Sequence, residues 1–251
     1  MGIGKGKNDS GAHASEAGAE AARLSESPIP NPRSLRIAVL VSGRGSNLQA
    51  LIDARDAGAL PIDIVLVASD KPQAQGLRRA EEAGVATLAL SPKGHASRAA
   101  YDADLFARVA AAGPDLIVLA GFMRILDAAA IAPWQGRMIN IHPSLLPKYP
   151  GLHTHARALE AGDAVHGTSV HFVTGELDGG PVIAQARIAT RADDTPDSLA
   201  QRLLPREHAL MVETVALLAA RRITLAADGI ALDGAPLAAP LQLDANGRLA
   251  G

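Results

Sequence analysis

The chain has 251 residues, 48% of them hydrophobic and 20% charged, and no cysteine. With 24 Lys and Arg against 26 Asp and Glu its formal net charge is −2, so no general attraction to nucleic acid or to an anionic membrane is expected. The missing cysteines exclude a disulfide scaffold, a thiolate metal site and a cysteine nucleophile, and no apolar run reaches the roughly 18 residues that span a bilayer.

Residues 1–34 are rich in Gly, Ala, Ser, Pro and charge and lack a sustained apolar period, so they read as a disordered extension. A secretory signal needs an apolar core, which is missing. A transit peptide should be poor in acids, yet Asp9, Glu16, Glu20 and Glu26 are present. Gly6 stands where a myristoylation signal needs Ser or Thr. A cytoplasmic protein is expected, with one folded domain over 35–237 and a tail over 238–251.

From Leu35 onward apolar runs alternate with helical patterns. Leu35–Val41 is predicted as a buried strand, Ser42 to Asn47 as a Gly-rich loop and 48–57 as a helix. Strands are predicted at 62–68, 86–90, 115–120 and 138–141. Helices are predicted at 76–83, 97–112 and 126–131, the second of these stopped by Gly113-Pro114. This alternation predicts an α/β fold, a doubly wound and mostly parallel open sheet with a Rossmann-like N-terminal half. Strands at 166–173 and Val182–Ala189 flank a turn at Asp178-Gly179-Gly180 and read as an antiparallel addition in the C-terminal half. A helix over 196–220 is expected to be interrupted at Pro205. A small hairpin follows, Ile223–Ala226 and 230–232 around Asp228-Gly229.

The loop Ser42-Gly43-Arg44-Gly45-Ser46-Asn47 between the first strand and helix has the composition of an anion cradle. Glycines let backbone approach a ligand, and the helix start offers free N–H groups and the positive end of its dipole. The dinucleotide fingerprint fails because Leu48 stands at its third glycine, and no Gly-Lys-Ser/Thr is present, so a single phosphate is favoured over a pyrophosphate. The same turn also serves as a plain helix start capped by Ser46 or Asn47.

The segment Ile139-Asn140-Ile141-His142-Pro143-Ser144 carries the chemistry. Asn140 and His142 lie two residues apart on one strand face, at the carboxyl edge where ligands of parallel sheets bind. His can move protons near neutral pH, and an Asn amide can donate to a developing oxyanion, which suits acyl transfer. Asp178, in a turn where two glycines allow close approach, is the candidate to orient the histidine. Each also has a structural reading, as a strand-end histidine and an Asp-Gly hairpin. His142, His153, His155, His166 and His171 include no i, i+4 pair with Glu, and no metal is expected.

The run Asn140 to His155, with Ser42 to Leu48, Ala120 to Leu126, His166 to Val173 and Glu176 to Pro181, resembles the phosphoribosylglycinamide formyltransferase family over about residues 35–237. The resemblance implies formyl transfer from 10-formyltetrahydrofolate to the amine of 5′-phosphoribosylglycinamide in purine biosynthesis. It implies Asn140, His142 and Asp178 as the catalytic trio. Gly45, Ser46 and Asn47 would hold the substrate phosphate and Glu207 its ribose. Arg98, Met123, Arg124, Ile125, Leu126, Asn140, Thr174, Gly175, Glu176, Leu177 and Asp178 would contact the folate. It further implies small-molecule substrates, no nucleic acid, no membrane, and a monomer or homodimer. After Glu207-His208-Ala209-Leu210 the family usually has Tyr-Pro, where this chain has Met211-Val212. A formyltetrahydrofolate deformylase or another folate-dependent N-formyltransferase is the alternative. The short N-terminal stretch speaks against the deformylase, and the acidic balance speaks against a methionyl-tRNA formyltransferase.

Overall fold

The computed structural model describes Met1, Gly2 and residues 34–227 and 229–249, so the expected extension lies almost wholly outside the described residues. The elements in chain order are β1 (Leu35–Val41), α1 (Ser46–Asp56), β2 (Ile62–Ser69), α2 (Gln75–Glu82), β3 (Thr87–Ala89), α3 (Arg98–Ala111), β4 (Leu116–Leu119) and α4 (Ala128–Ile131). A 3-10 turn at Ala132–Trp134 leads into β5 (Met138–His142), α5 (Thr154–Glu160), β6 (Val165–Phe172), β7 (Val182–Ala189) and α6 (Pro196–Ala219). The short strands β8 (Ile223–Ala226), β9 (Gly229–Leu232), β10 (Ala235–Pro236) and β11 (Leu241–Gln242) close the chain.

Eight strands form one sheet in the order β11-β7-β6-β5-β4-β1-β2-β3. β1, β2, β3, β4 and β5 run parallel, and β6 and β7 add antiparallel beyond β5. The chain winds outward from β1 to β3, then returns to β4 on the other side. The order therefore reverses between β1 and β4, which opens a crevice at their carboxyl ends.

The alternation of β1 explains the two layers. Ile37, Val39 and Val41 face Leu48 and Leu51 of α1, Leu77 of α2, and Leu210, Met211 and Val215 of α6. Ala38 and Leu40 face Tyr101, Leu105, Phe106 and Val109 of α3. A strand apolar on both faces needs helices on both faces, as the continuous run Leu35–Val41 requires.

Three readings of the sequence are corrected. α6 is one continuous helix of 24 residues with Pro205 inside it, not two pieces. A proline costs a helix interior about 3 kcal/mol through a lost hydrogen bond and a steric clash. Burying Leu199, Leu203, Leu210, Met211 and Val215 stabilises the helix by about 1.5–3 kcal/mol each, which outweighs that cost. A reciprocal cap, with Thr195 and Ser198 each bonding the other's backbone N–H, fixes the start. The segment 238–251 was expected as a tail, but Leu241–Gln242 pairs parallel with β7, and Leu243 bridges Leu249. Buried Leu241 and Leu243 join the core, so this segment has an apolar reason to stay on the sheet edge. Finally, the loop after His142 contains α5, which the proline-rich sequence did not announce.

Because Pro205 is exposed, Pro205→Ala is expected to raise the unfolding free energy by about 1–3 kcal/mol in urea titrations. An unchanged midpoint would mean that α6 accommodates the ring at no cost.

Candidate active site

The Gly-rich loop follows β1 directly. Gly45 is the residue before α1, with φ 69°, and no side chain caps the helix. Ser46 and Asn47 are thus the first helical residues rather than its caps, and the N–H groups of the first turn stay free for a ligand. Glycine is required here twice over: by the left-handed backbone, and because a Cβ on Gly45 would lie 2.7 Å from the Cα of Gly76 in α2. Gly76 N–H donates to the Gly43 carbonyl at 3.0 Å, and Arg79 donates to the Arg44 carbonyl at 2.9 Å and to Gln49 at 2.8 Å. The start of α2 and a cation therefore back the cradle.

Across from it, Glu207 projects from α6. Asn47 Nδ2 donates to Glu207 Oε2 at 3.5 Å, a long contact, while Asn47 Oδ1 is buried with no partner among the described residues. Burial raises the Glu207 carboxyl from 4.5 to about 7.

The trio assembles where β5 ends. Asn140 and His142 come from alternate positions of β5, and Asp178 from the β6–β7 loop, at φ 50°. Gly180 packs so closely beneath this turn that a Cβ would run into the Phe172 carbonyl. His142 Nδ1 lies 3.4 Å from Asp178 Oδ2, and His142 Nε2 donates to the Tyr149 carbonyl at 2.8 Å. Both ring nitrogens face acceptors, so a ring carrying two protons satisfies both. Asp178 Oδ2 also accepts from Gly151 N–H at 2.8 Å, which ties the proline-rich loop to the turn.

A residue the sequence reading did not place completes the group. His171 on β6 stands directly opposite Asn140 in the antiparallel register. Its Nδ1–H donates to the Phe172 carbonyl at 2.9 Å, so its Nε2 is bare and accepts from Asn140 Nδ2 at 3.1 Å. Burial lowers the His171 pKa, which keeps the ring neutral and an acceptor. The second Asn140 N–H has only a 3.5 Å contact with Asp178 Oδ1. It is the freer donor.

The other wall of the crevice is the segment after β4. It is pinned at three points. Met123 N–H donates to Ser42 Oγ at 2.9 Å, Arg124 stacks over the Tyr101 ring at 4.6 Å, and Asp127 N–H donates to buried Asp102 Oδ2 at 2.8 Å. Ser42 Oγ in turn donates to Asp70 Oδ1 at 2.6 Å, and Ser42 N–H donates to the Gly121 carbonyl at 3.0 Å. One serine thus joins the carboxyl ends of β1, β2 and β4. Neither Ser42 nor Asp70 was singled out in the sequence, because buried polar pairs carry no spacing signal. Met123, Ile125, Leu152 and Leu177 are 63, 56, 61 and 51% exposed, an apolar rim of the kind that marks a ligand-binding groove.

These parts enclose a cleft of about 830 Å³. Ser46, Asn47, Glu207, Asn140, His142, Asp178, Met123 to Leu126 and Thr174 to Leu177 all line it. Neither Gly45 nor Arg98 lines it, and Arg98 is exposed at the start of α3.

An anion cradle, a donor cluster and an apolar wall on one doubly wound sheet define an α/β enzyme of the acyl-transfer type. Residues 35–215 match the formyl transferase family, and the chain belongs to that family. It is 50% identical over 200 residues to the phosphoribosylglycinamide formyltransferase of Escherichia coli K12, covering 80% of this chain and 94% of that protein. It is 53% identical over 188 residues to the trifunctional purine biosynthetic protein adenosine-3 of Drosophila melanogaster, where the match spans 74% of this chain but 14% of the longer protein. Among solved structures, phosphoribosylglycinamide formyltransferase from Coxiella burnetii superposes with a TM-score of 0.78 at 47% identity, over 81% of this chain and 96% of that one.

The raised Glu207 pKa has a stability consequence. Between pH 4.5 and about 7 the folded chain holds a proton that the unfolded chain has released, so this group lowers stability as pH rises through that window. Glu207→Gln removes the component. The variant is expected to gain stability over wild type above pH 7 and not below pH 4.5 in urea unfolding across that range. Parallel profiles for the two proteins would assign the buried proton to another group.

Proposed function

We propose that this protein transfers the formyl group of 10-formyltetrahydrofolate to the primary amine of 5′-phosphoribosylglycinamide, a step of purine biosynthesis. The observation that carries the reading is the position of Asn140, His142 and Asp178 between a phosphate cradle and an apolar wall in one cleft. The uncapped first turn of α1, at Ser46 and Asn47, receives the phosphate. Glu207 takes the ribose hydroxyls from the facing helix. The pinned segment Met123 to Leu126 and the loop Thr174 to Asp178 hold the folate between them. Their backbone groups and apolar side chains suit a flat heterocycle.

The residues divide the work. The free N–H of Asn140 is aimed at the oxygen that becomes negative as the amine adds to the formyl carbon. Doubly protonated His142 supplies a second positive group at that oxygen once the ring exchanges its bond to the Tyr149 carbonyl for one to the substrate. Asp178 holds the proton on His142 Nδ1. A water held by Asp178 takes the amine proton as the new C–N bond forms and passes it to the folate nitrogen as the bond to that nitrogen breaks. That nitrogen leaves with the proton, so no charge is left behind and no covalent enzyme intermediate is needed.

Purified protein supplied with both substrates is expected to turn over only when the amine is present. Such positioned donors contribute about 10²–10³ in rate each, so His142→Ala or Asn140→Ala should lower kcat by at least that factor. Asp178→Asn should do the same while the affinity for phosphoribosylglycinamide stays within about threefold. Turnover without the amine would reverse the assignment toward a hydrolase. Full activity in His142→Ala would remove that residue from the chemistry.

A further inference from the structure

The reaction above makes no use of a second pair of histidines on the rim of the same cleft. His155 Nδ1 lies 3.0 Å from His166 Nε2, with the rings edge to face at 74°. His155 comes from α5 and lines the cleft, whereas His166 comes from β6 and is 1% exposed.

The protons of this pair can be assigned in order. The backbone of Pro143, whose only hydrogen-bonding group is its carbonyl, holds the His166 pKa up against the effect of burial. His166 Nε2 is engaged with His155, so the nitrogen facing that carbonyl is Nδ1, and it carries a proton. Burial lowers the pKa of both rings, that of His166 to about 4, so both are neutral near pH 7. A neutral ring protonated at Nδ1 has a bare Nε2. His166 Nε2 therefore accepts, and His155 Nδ1 donates. His155 is neutral in turn, so its own Nε2 is bare. That nitrogen has no donor among the described residues and is not sealed from solvent. The order from Pro143 through His166 thus selects a single tautomer and leaves a lone pair on the cleft-lining ring of His155.

We propose that His155 Nε2 is a built-in hydrogen-bond acceptor for an N–H or O–H donor of the phosphoribosyl substrate. The contact would set which way that substrate lies, and the proposal rests on the function given above. The side of the cleft argues for this substrate over the folate. α5 packs against α6, whose Gln201, Leu204 and Glu207 line the ribose end, while the apolar wall belongs to the segment after β4. An acceptor without charge also suits a ligand that carries a phosphate. A carboxylate in its place would repel that phosphate, and a donor would leave the substrate's hydroxyl or amide hydrogens unpaired.

The test uses full-length protein with nitrogen-15-labelled histidine. Ring-nitrogen spectra at neutral pH are expected to assign His155 as the Nδ1–H tautomer, and its Nε2 resonance should move when phosphoribosylglycinamide is added. Loss of one neutral hydrogen bond changes binding by roughly 5–10-fold. His155→Phe should therefore raise the KM for that substrate by about that factor, with kcat and the folate KM within about twofold. His155→Gln, which offers an acceptor at similar reach, should recover most of the loss. A His155 ring protonated at Nε2, a resonance that does not respond to the substrate, or an unchanged KM in His155→Phe would overturn the proposal. Should the phenylalanine variant fold poorly, the wild-type titration decides alone. Wild-type protein that binds no phosphoribosylglycinamide would fail the function itself, and the tautomer would still be read independently.

Discussion

The Asp178 carboxylate is the point on which the rest of this cleft depends. It is 9% exposed, and an isolated carboxylate at that depth would be costly, so the surrounding chain must supply donors. Gly151 N–H from the proline-rich loop and His142 Nδ1 from β5 do so, and Asn140 Nδ2 stands at a longer 3.5 Å. His171 Nε2 stands 3.7 Å away on β6. A single side chain thereby draws a parallel strand, an antiparallel strand and a loop to one place. The left-handed backbone at Asp178 and the tight packing of Gly180 are what that convergence requires locally.

The topology explains why the convergence falls where it does. The reversal of strand order leaves the ends of β1 and β4 splayed, and β5 ends beside them. Antiparallel β6 then returns along β5 and places His171 against Asn140. A further parallel strand would have approached from the opposite end and brought a side chain of different register. The antiparallel half of the sheet is thus part of the site and not only its cover.

Much of this was legible in the sequence, for reasons that differ by element. Strands apolar on both faces, such as Leu35–Val41, read as buried parallel strands because few other structures bury such a run. Asn140 and His142 read as neighbours because strand side chains alternate. Four features were not legible. Local rules break a helix at Pro205, and only the buried stripe of α6 against the sheet overrides them. The partnership of Asn140 with His171 depends on the antiparallel register of β5 and β6, which neither residue's sequence neighbours disclose. The edge strand Leu241–Gln242 is two residues long, too short to show a period. The Ser42–Asp70 bond joins residues far apart in the chain, and no spacing foretells such a pair.

That serine links the two halves of the cleft. Its hydroxyl holds the backbone of Met123 on the apolar wall, and the residue after it opens the glycine turn of the cradle. A ligand that tightens one half and a ligand that tightens the other therefore act on the same hydroxyl. Whatever cooperativity passes this way is reciprocal. It is also bounded by the worth of one hydrogen bond, about 1 kcal/mol, or roughly a fivefold change in the affinity of either ligand. The fold thus permits the two ligands to assist one another without obliging them to arrive in a fixed order.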